Sequence, residues 1–81
     1  MRLSKSMVVA SNGQYGPFED GRTILYTDFL DAEGGGVMRA THAQGADLNG
    51  ELRPTAAGTA ELELFQSEKG LRLRLHGFAA A

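Results

Sequence analysis

An 81-residue chain without cysteine has room for one domain, near the lower limit at which a single core suffices, and excludes both a disulfide staple and a thiolate metal site. Its formal charge of −2 at pH 7 is near neutral, whereas proteins that live on nucleic acid are usually basic because phosphate neutralisation supplies most of their affinity; a nucleic-acid surface would depend on where the basic residues lie. The apolar run Met7-Val8-Val9-Ala10 is too short for a signal peptide and no segment approaches the length of a spanning helix, so a soluble, cytoplasmic, single-domain protein over residues 1–81 is expected.

Glycine-containing turns separate five strand-like runs. The first covers residues 5–10 and is followed by a long connection, 11–22, that carries Tyr15, Phe18 and Arg22 among glycines and Pro17. The second run, 22–31, is rich in Ile24, Tyr26, Thr27 and Phe29. Leu25 and Phe29 there alternate with Ile24, Tyr26 and Leu30, so both strand faces are apolar. Gly34-Gly35-Gly36 then reads as a hairpin turn, since a strand follows it and a phosphate-cradling loop would need a helix N-terminus or a lysine. The third run, 36–43, alternates Val37, Arg39 and Thr41 against Met38, Ala40 and His42. No stretch has a sustained helical period. A single turn over residues 46–52 is the best candidate, with Asp47 or Asn49 as cap and Arg53-Pro54 as its end.

The fourth and fifth runs form a hairpin over residues 59–78. Leu62, Leu64, Leu71, Leu73 and Leu75 alternate with charged and polar residues, the mark of strands buried on one face. Folding about Ser67-Glu68-Lys69-Gly70 sets Leu64 against Leu73, Leu62 against Leu75, Glu63 against Arg74, Glu61 against His76 and Phe65 against Arg72. A slip of one residue would put leucines against charges. Five strands with the longest irregular connection, 44–58, between the third and fourth predict an all-β fold, a small five-stranded OB-fold-like barrel, with an SH3-like barrel as the competitor.

The segment Tyr26-Thr27-Asp28-Phe29-Leu30-Asp31 and the stretch Gly58-Thr59-Ala60-Glu61-Leu62-Glu63-Leu64-Phe65, followed by Leu71-Arg72-Leu73-Arg74-Leu75, resemble the single-stranded DNA-binding proteins of filamentous phages and related small phage and plasmid OB-fold proteins. That resemblance implies a small dimer that coats unpaired strands with little sequence preference during phage or plasmid replication.

The residues themselves carry a compatible chemistry. An aromatic in the first loop of an OB-fold lies where it can stack on unpaired bases, which nominates Tyr15 and Phe18; Phe18 closing one end of the core is the structural alternative. Phe65, Arg72 and Arg74 share the polar face of the last hairpin, where a guanidinium can grip phosphate beside a stacked base. Arg74 opposes Glu63 and reads as a solvated ion pair, whereas Arg72 has no opposing carboxylate and is the better ligand contact. Arg22 and Arg39 extend a basic track if they converge on the same face. The expected nucleic-acid-binding set is therefore Tyr15, Phe18, Arg22, Arg39, Phe65 and Arg72, with DNA and RNA served by the same surface.

Two histidines, His42 and His76, supply no metal-ligand spacing, and His76 reads as a cross-strand partner of Glu61. Asp28, Asp31 and Glu33 lack the ligand ladder of a calcium loop. Ser4, Ser6 and Ser11 have no histidine and acid nearby, and Glu61 and Glu63 alternate onto a solvent face where nothing raises a pKa. No enzyme, metal or cofactor is expected. A homodimer is, because strand two has more apolar surface than one small core can cover. The rival function is a protein-interaction module built on the same barrel, favoured by the near-neutral charge; a small-ligand barrel ranks last, for want of inward polar residues.

Overall fold

The computed structural model describes residues 1–46, 48 and 52–81. Its strands are β1 (Arg2–Tyr15), β2 (Ile24–Asp31), β3 (Val37–His42), β4 (Ala57–Ser67) and β5 (Gly70–Ala80), hydrogen-bonded in the closed order β1-β2-β3-β5-β4. All neighbours are antiparallel except β3 and β5, whose short parallel pairing closes the barrel. This is the OB-type barrel that the run of elements predicts. Among the described residues no helix is long and apolar enough to cross a membrane.

Closure of so small a sheet depends on β1. Its first half pairs with β4 and its second half with β2, and Met7 and Val8 pair with both. Between Val9 and Ser11 the register shifts by a bulge, which bends the strand around the corner. The expected strand at 5–10 is thus much longer in the structure, and much of the expected first loop is strand. Ser11, Asn12, Gly13 and Gln14 have weak strand propensity, but β2 offers them a ladder and side-chain cover. Gly13 is directly opposite Tyr26, and a Cβ at Gly13 would lie 2.5–2.9 Å from the end of the Tyr26 ring, so the ring rests on the glycine backbone.

Met7, Val9, Phe29, Ala40, Ala60, Leu62, Leu75 and Phe78 form the core, each large aliphatic or aromatic side chain contributing about 1.5–3 kcal/mol on full burial. Phe29 and Phe78 meet at a centroid distance of 5.9 Å. Small residues make room for them: a side chain at Gly58 would collide with the Phe78 ring and the β5 backbone. Among the described residues one polar side chain, Thr27, is fully buried with them. Asn12 Nδ2 donates to the Leu52 carbonyl at 2.7 Å, which turns Asn12 Oδ1 toward Thr27, and the Thr27 hydroxyl donates to it at 2.6 Å. The Thr27 oxygen is then left to accept from His42 Nε2, 2.7 Å away, which places the proton of neutral His42 on Nε2. Burial holds the His42 pKa below its ordinary value. The relay pins the connection after β3 to the barrel; the helical turn expected at 46–52, with its caps Asp47 and Asn49, falls largely outside the described residues.

The terminal hairpin has the expected turn. Glu68 and Lys69 span the paired Ser67 and Gly70; Ser67 Oγ donates to the Gly70 carbonyl, and Gly70 takes a φ of 107° that side chains avoid. Leu62 opposes Leu75, Glu63 opposes Arg74, Leu64 opposes Leu73 and Phe65 opposes Arg72, as expected. Glu61 instead opposes Gly77, because a bulge beside it leaves His76 unpaired in the ladder. His76 Nε2 lies 2.7 Å from Glu63 Oε1, and Glu61 accepts from Ser4 Oγ. The leucine face also divides: Leu62 and Leu75 are buried but Leu71 is 65% exposed, because the hairpin tip runs past the end of the core. Ala79 and Ala80 pair with Thr59 and Gly58.

Candidate functional site

Alternate residues of a strand share a face, so the registers assemble rows across the barrel exterior. Gly13 is paired to Tyr26, Tyr26 to Thr41, Thr41 to Arg74 and Arg74 to Glu63, one row crossing all five strands. The neighbouring row sets Ser11 against Asp28 and Asp28 against Arg39, and on the hairpin Arg72 against Phe65. β3 and β5 pair only through Ala40–Leu73, Thr41–Arg74 and His42–Leu75. Before Ala40 and Leu73 the two strands part, and a groove of about 670 Å³ lies over the gap. Tyr15 and Ile24 bound it from the β1–β2 side and the Glu68-Lys69 turn from the β4–β5 side, with Arg39, Phe65, Arg72 and Arg74 among its walls.

Charge is segregated at this groove. Among the described residues, Arg39, Lys69, Arg72 and Arg74 of the eight Lys and Arg line it, whereas of the Asp and Glu only Glu68 does. Asp28 and Glu63 stand behind two of these cations. Arg39 donates from Nε to Asp28 Oδ1 at 2.7 Å and from Nη2 to Oδ2 at 3.1 Å; these bonds hold the Asp28 carboxyl below its ordinary pKa and raise that of Arg39. Arg74 Nη1 bonds Glu63 Oε1 at 3.1 Å. Glu63 is held low mainly by its bond with His76, with Arg74 adding to it. Arg72 and Lys69 have no carboxylate partner among the described residues.

The aromatics are coupled to the arginines. The Arg39 guanidinium lies 3.9 Å from the Tyr26 ring centroid and donates from Nη1 to the Tyr15 hydroxyl at 3.0 Å. Tyr15 and Tyr26 are 4.8 Å apart with a tilt of 43°. Arg74 lies 4.0 Å over Phe65. Both contacts are within cation–π range.

The structure therefore brings Tyr15, Arg39, Phe65 and Arg72 together and leaves Phe18 and Arg22 outside the lining. Arg22 stays in the β1–β2 loop and pairs with Asp20 through Nε. Phe18 is 44% exposed, its ring against Gly16 and its backbone bonded to Arg22; it neither closes the core nor reaches the groove. Lys69 and Arg74 line the groove and Tyr26 backs Arg39, though the sequence puts none of them in the expected binding set and reads Arg74 as the ion-pair partner of Glu63, which it is. Tyr26 shares the alternation of Ile24, the one trace of its outward position that the sequence carries. No family model, known protein or solved structure matches the chain, so the groove is read from its own chemistry.

Proposed function

We propose that the chain binds single-stranded nucleic acid, DNA in the first instance, along the groove between the β1–β2 and β4–β5 loops. The observation that carries this reading is the segregation of charge: among the described residues, half of the cations and one carboxylate of a net acidic chain line a groove that also holds Tyr15 and Phe65. Unpaired strands are held by such a combination of cationic track and π-faces, with little sequence preference. Arg72 and Lys69, lacking carboxylate partners among the described residues, are the phosphate contacts; Tyr15 and Phe65 meet the bases. The role in coating strands during phage or plasmid replication, and assembly as a homodimer through the exposed face of β2, rest on the resemblance and on the apolar residues Ile24 and Leu30 that β2 leaves exposed.

Fluorescence anisotropy of a labelled dT oligonucleotide, at low and then moderate salt, tests the reading. Binding that weakens as salt rises, and that Tyr15→Ala and Arg72→Ala each reduce, supports it; absence of binding at low salt sinks it. The second reading, a protein-interaction module, is favoured by the gap between β3 and β5. There the half of β3 before Ala40 has no partner on the β5 side among the described residues, and Val37 and Leu71 flank the opening at 71% and 65% exposure, a geometry that suits an added peptide strand.

A further inference from the structure

Arg39 stands in a layered column. The Gly13 backbone supports the Tyr26 ring, the ring supports the Arg39 guanidinium at 3.9 Å, and the edges of the guanidinium are held from the side. Nε and Nη2 donate to the two oxygens of Asp28 and Nη1 to the Tyr15 hydroxyl. The Nε–Nη2 edge, the fork through which arginine grips a phosphate, is thus occupied by a carboxylate of this chain. One face of the plane is covered by Tyr26. The side chain nonetheless remains 46% exposed and lines the groove, so a second, flat surface is turned to the ligand.

From this geometry we infer that Arg39 is a base-stacking platform: an unpaired base lies on the open face of its guanidinium, continuing the column of Gly13, Tyr26 and Arg39. Unpaired bases stack on guanidinium planes as they do on aromatic rings. The inference rests on the proposed function and deepens it, since it divides the arginines of the groove by task. Asp28 neutralises Arg39 and fixes its plane, leaving counterion release to Arg72 and Lys69.

Two ligands separate the tasks: a dT oligonucleotide and an oligomer of the same length made of abasic tetrahydrofuran units, which keeps the phosphates and lacks the bases. Arg39→Lys keeps the charge and removes the plane. Its expected effect is a loss of about tenfold in affinity for the dT strand, with affinity for the abasic strand and the salt slope of both unchanged. Far-UV circular dichroism and the urea midpoint confirm the fold, because the tyrosine band of Tyr15 and Tyr26, both in contact with Arg39, responds to the substitution itself. Asp28→Asn provides the second variant: by uncovering the charge of Arg39 it steepens the slope of log K against log salt by about 0.7, the increment for one phosphate on a single strand. If Arg39→Lys binds both ligands like the native chain while Arg39→Gln loses affinity for both alike, Arg39 is a phosphate contact and the inference falls. It falls too if Asp28→Asn leaves the slope unchanged. A native chain that binds the dT and abasic strands equally overturns the stacking platform but keeps the phosphate-binding groove, whereas one that binds neither overturns the proposed function itself.

Discussion

Gly13→Ala probes the foundation of the groove without touching a charge. The added Cβ would lie 2.5 Å from Tyr26 Oη, 2.6 Å from Cζ and 2.9 Å from Cε1, well inside the contact distance of two carbons, so the ring has to move by about 1 Å. The backbone raises no objection, since Gly13 is not among the glycines with positive φ, and alanine gains about 0.4–1 kcal/mol by restricting the unfolded chain. Against that stands a steric cost of about 1–3 kcal/mol for forcing a packed side chain aside. The ring has little freedom to yield, because Arg39 lies over it and Tyr15 beside it. The expected balance is a net loss of about 1 kcal/mol, read as a lower urea midpoint at unchanged slope, together with a changed tyrosine band in near-UV circular dichroism. A variant as stable as the native chain, with the tyrosine band intact, would refute the claim that the ring is seated on this glycine.

Thr27→Val replaces the buried hydroxyl by a methyl of similar size. Asn12 is exposed and finds water, but half-buried His42 loses the acceptor for its Nε2 proton, so a loss of about 1–3 kcal/mol in urea unfolding is expected; a neutral effect would show that the relay adds nothing. Stability should fall as pH falls. Burial depresses the folded pKa of His42, so acid charges the unfolded chain first and stability declines from about pH 6.5 downward. Asp28 is held low by Arg39, Asp31 by the backbone N–H groups of Glu33 and Gly34 with Lys5, and Glu63 by His76 and Arg74. These carboxylates stabilise the fold above their unfolded pKa values, about 4, and the contribution is lost as pH falls through the lower folded values. Urea midpoints at pH 7, 5.5 and 4 check the sign, and His42→Asn should flatten the segment between pH 7 and 5.5; the same midpoint at pH 7 and pH 4 would contradict it. Arg72→Ala should make the slope of log K against log salt shallower by about 0.7 for a dT strand, and an unchanged slope would remove Arg72 from the phosphate contacts.

The hairpin was the most legible part of the fold. Its leucine alternation and the Ser67–Gly70 turn are local, and a slip of one residue reverses both faces, so the pairs from Leu62–Leu75 to Phe65–Arg72 follow from the chain itself. The same logic failed at Glu61 and His76, because a bulge adds a residue to one strand and alternation carries no mark of it. It failed again at Ser11–Tyr15, where small polar residues and a glycine read as loop and become strand once Tyr26 covers Gly13 and Thr27 engages Asn12.

The candidate site divides along the same line. Arg72 and Phe65 could be placed together from the hairpin alone, and Tyr15 from its position before the second strand. Residue type in a glycine-rich loop points to Phe18 and Arg22, but that loop turns back on Asp20 and keeps them from the groove. Tyr26 and Arg39 meet because β2 and β3 pair in a particular register, and Arg39 and Arg74 reach one groove because β5 closes on β3 in parallel. Strand content, the hairpin register and the absence of thiol chemistry were determined by the sequence, since each depends on neighbours within a few residues or on composition. The gathering of four cations in a net acidic chain, and the covering of two of them by Asp28 and Glu63, was decided only by the tertiary structure, because it depends on which residues of distant strands share a row.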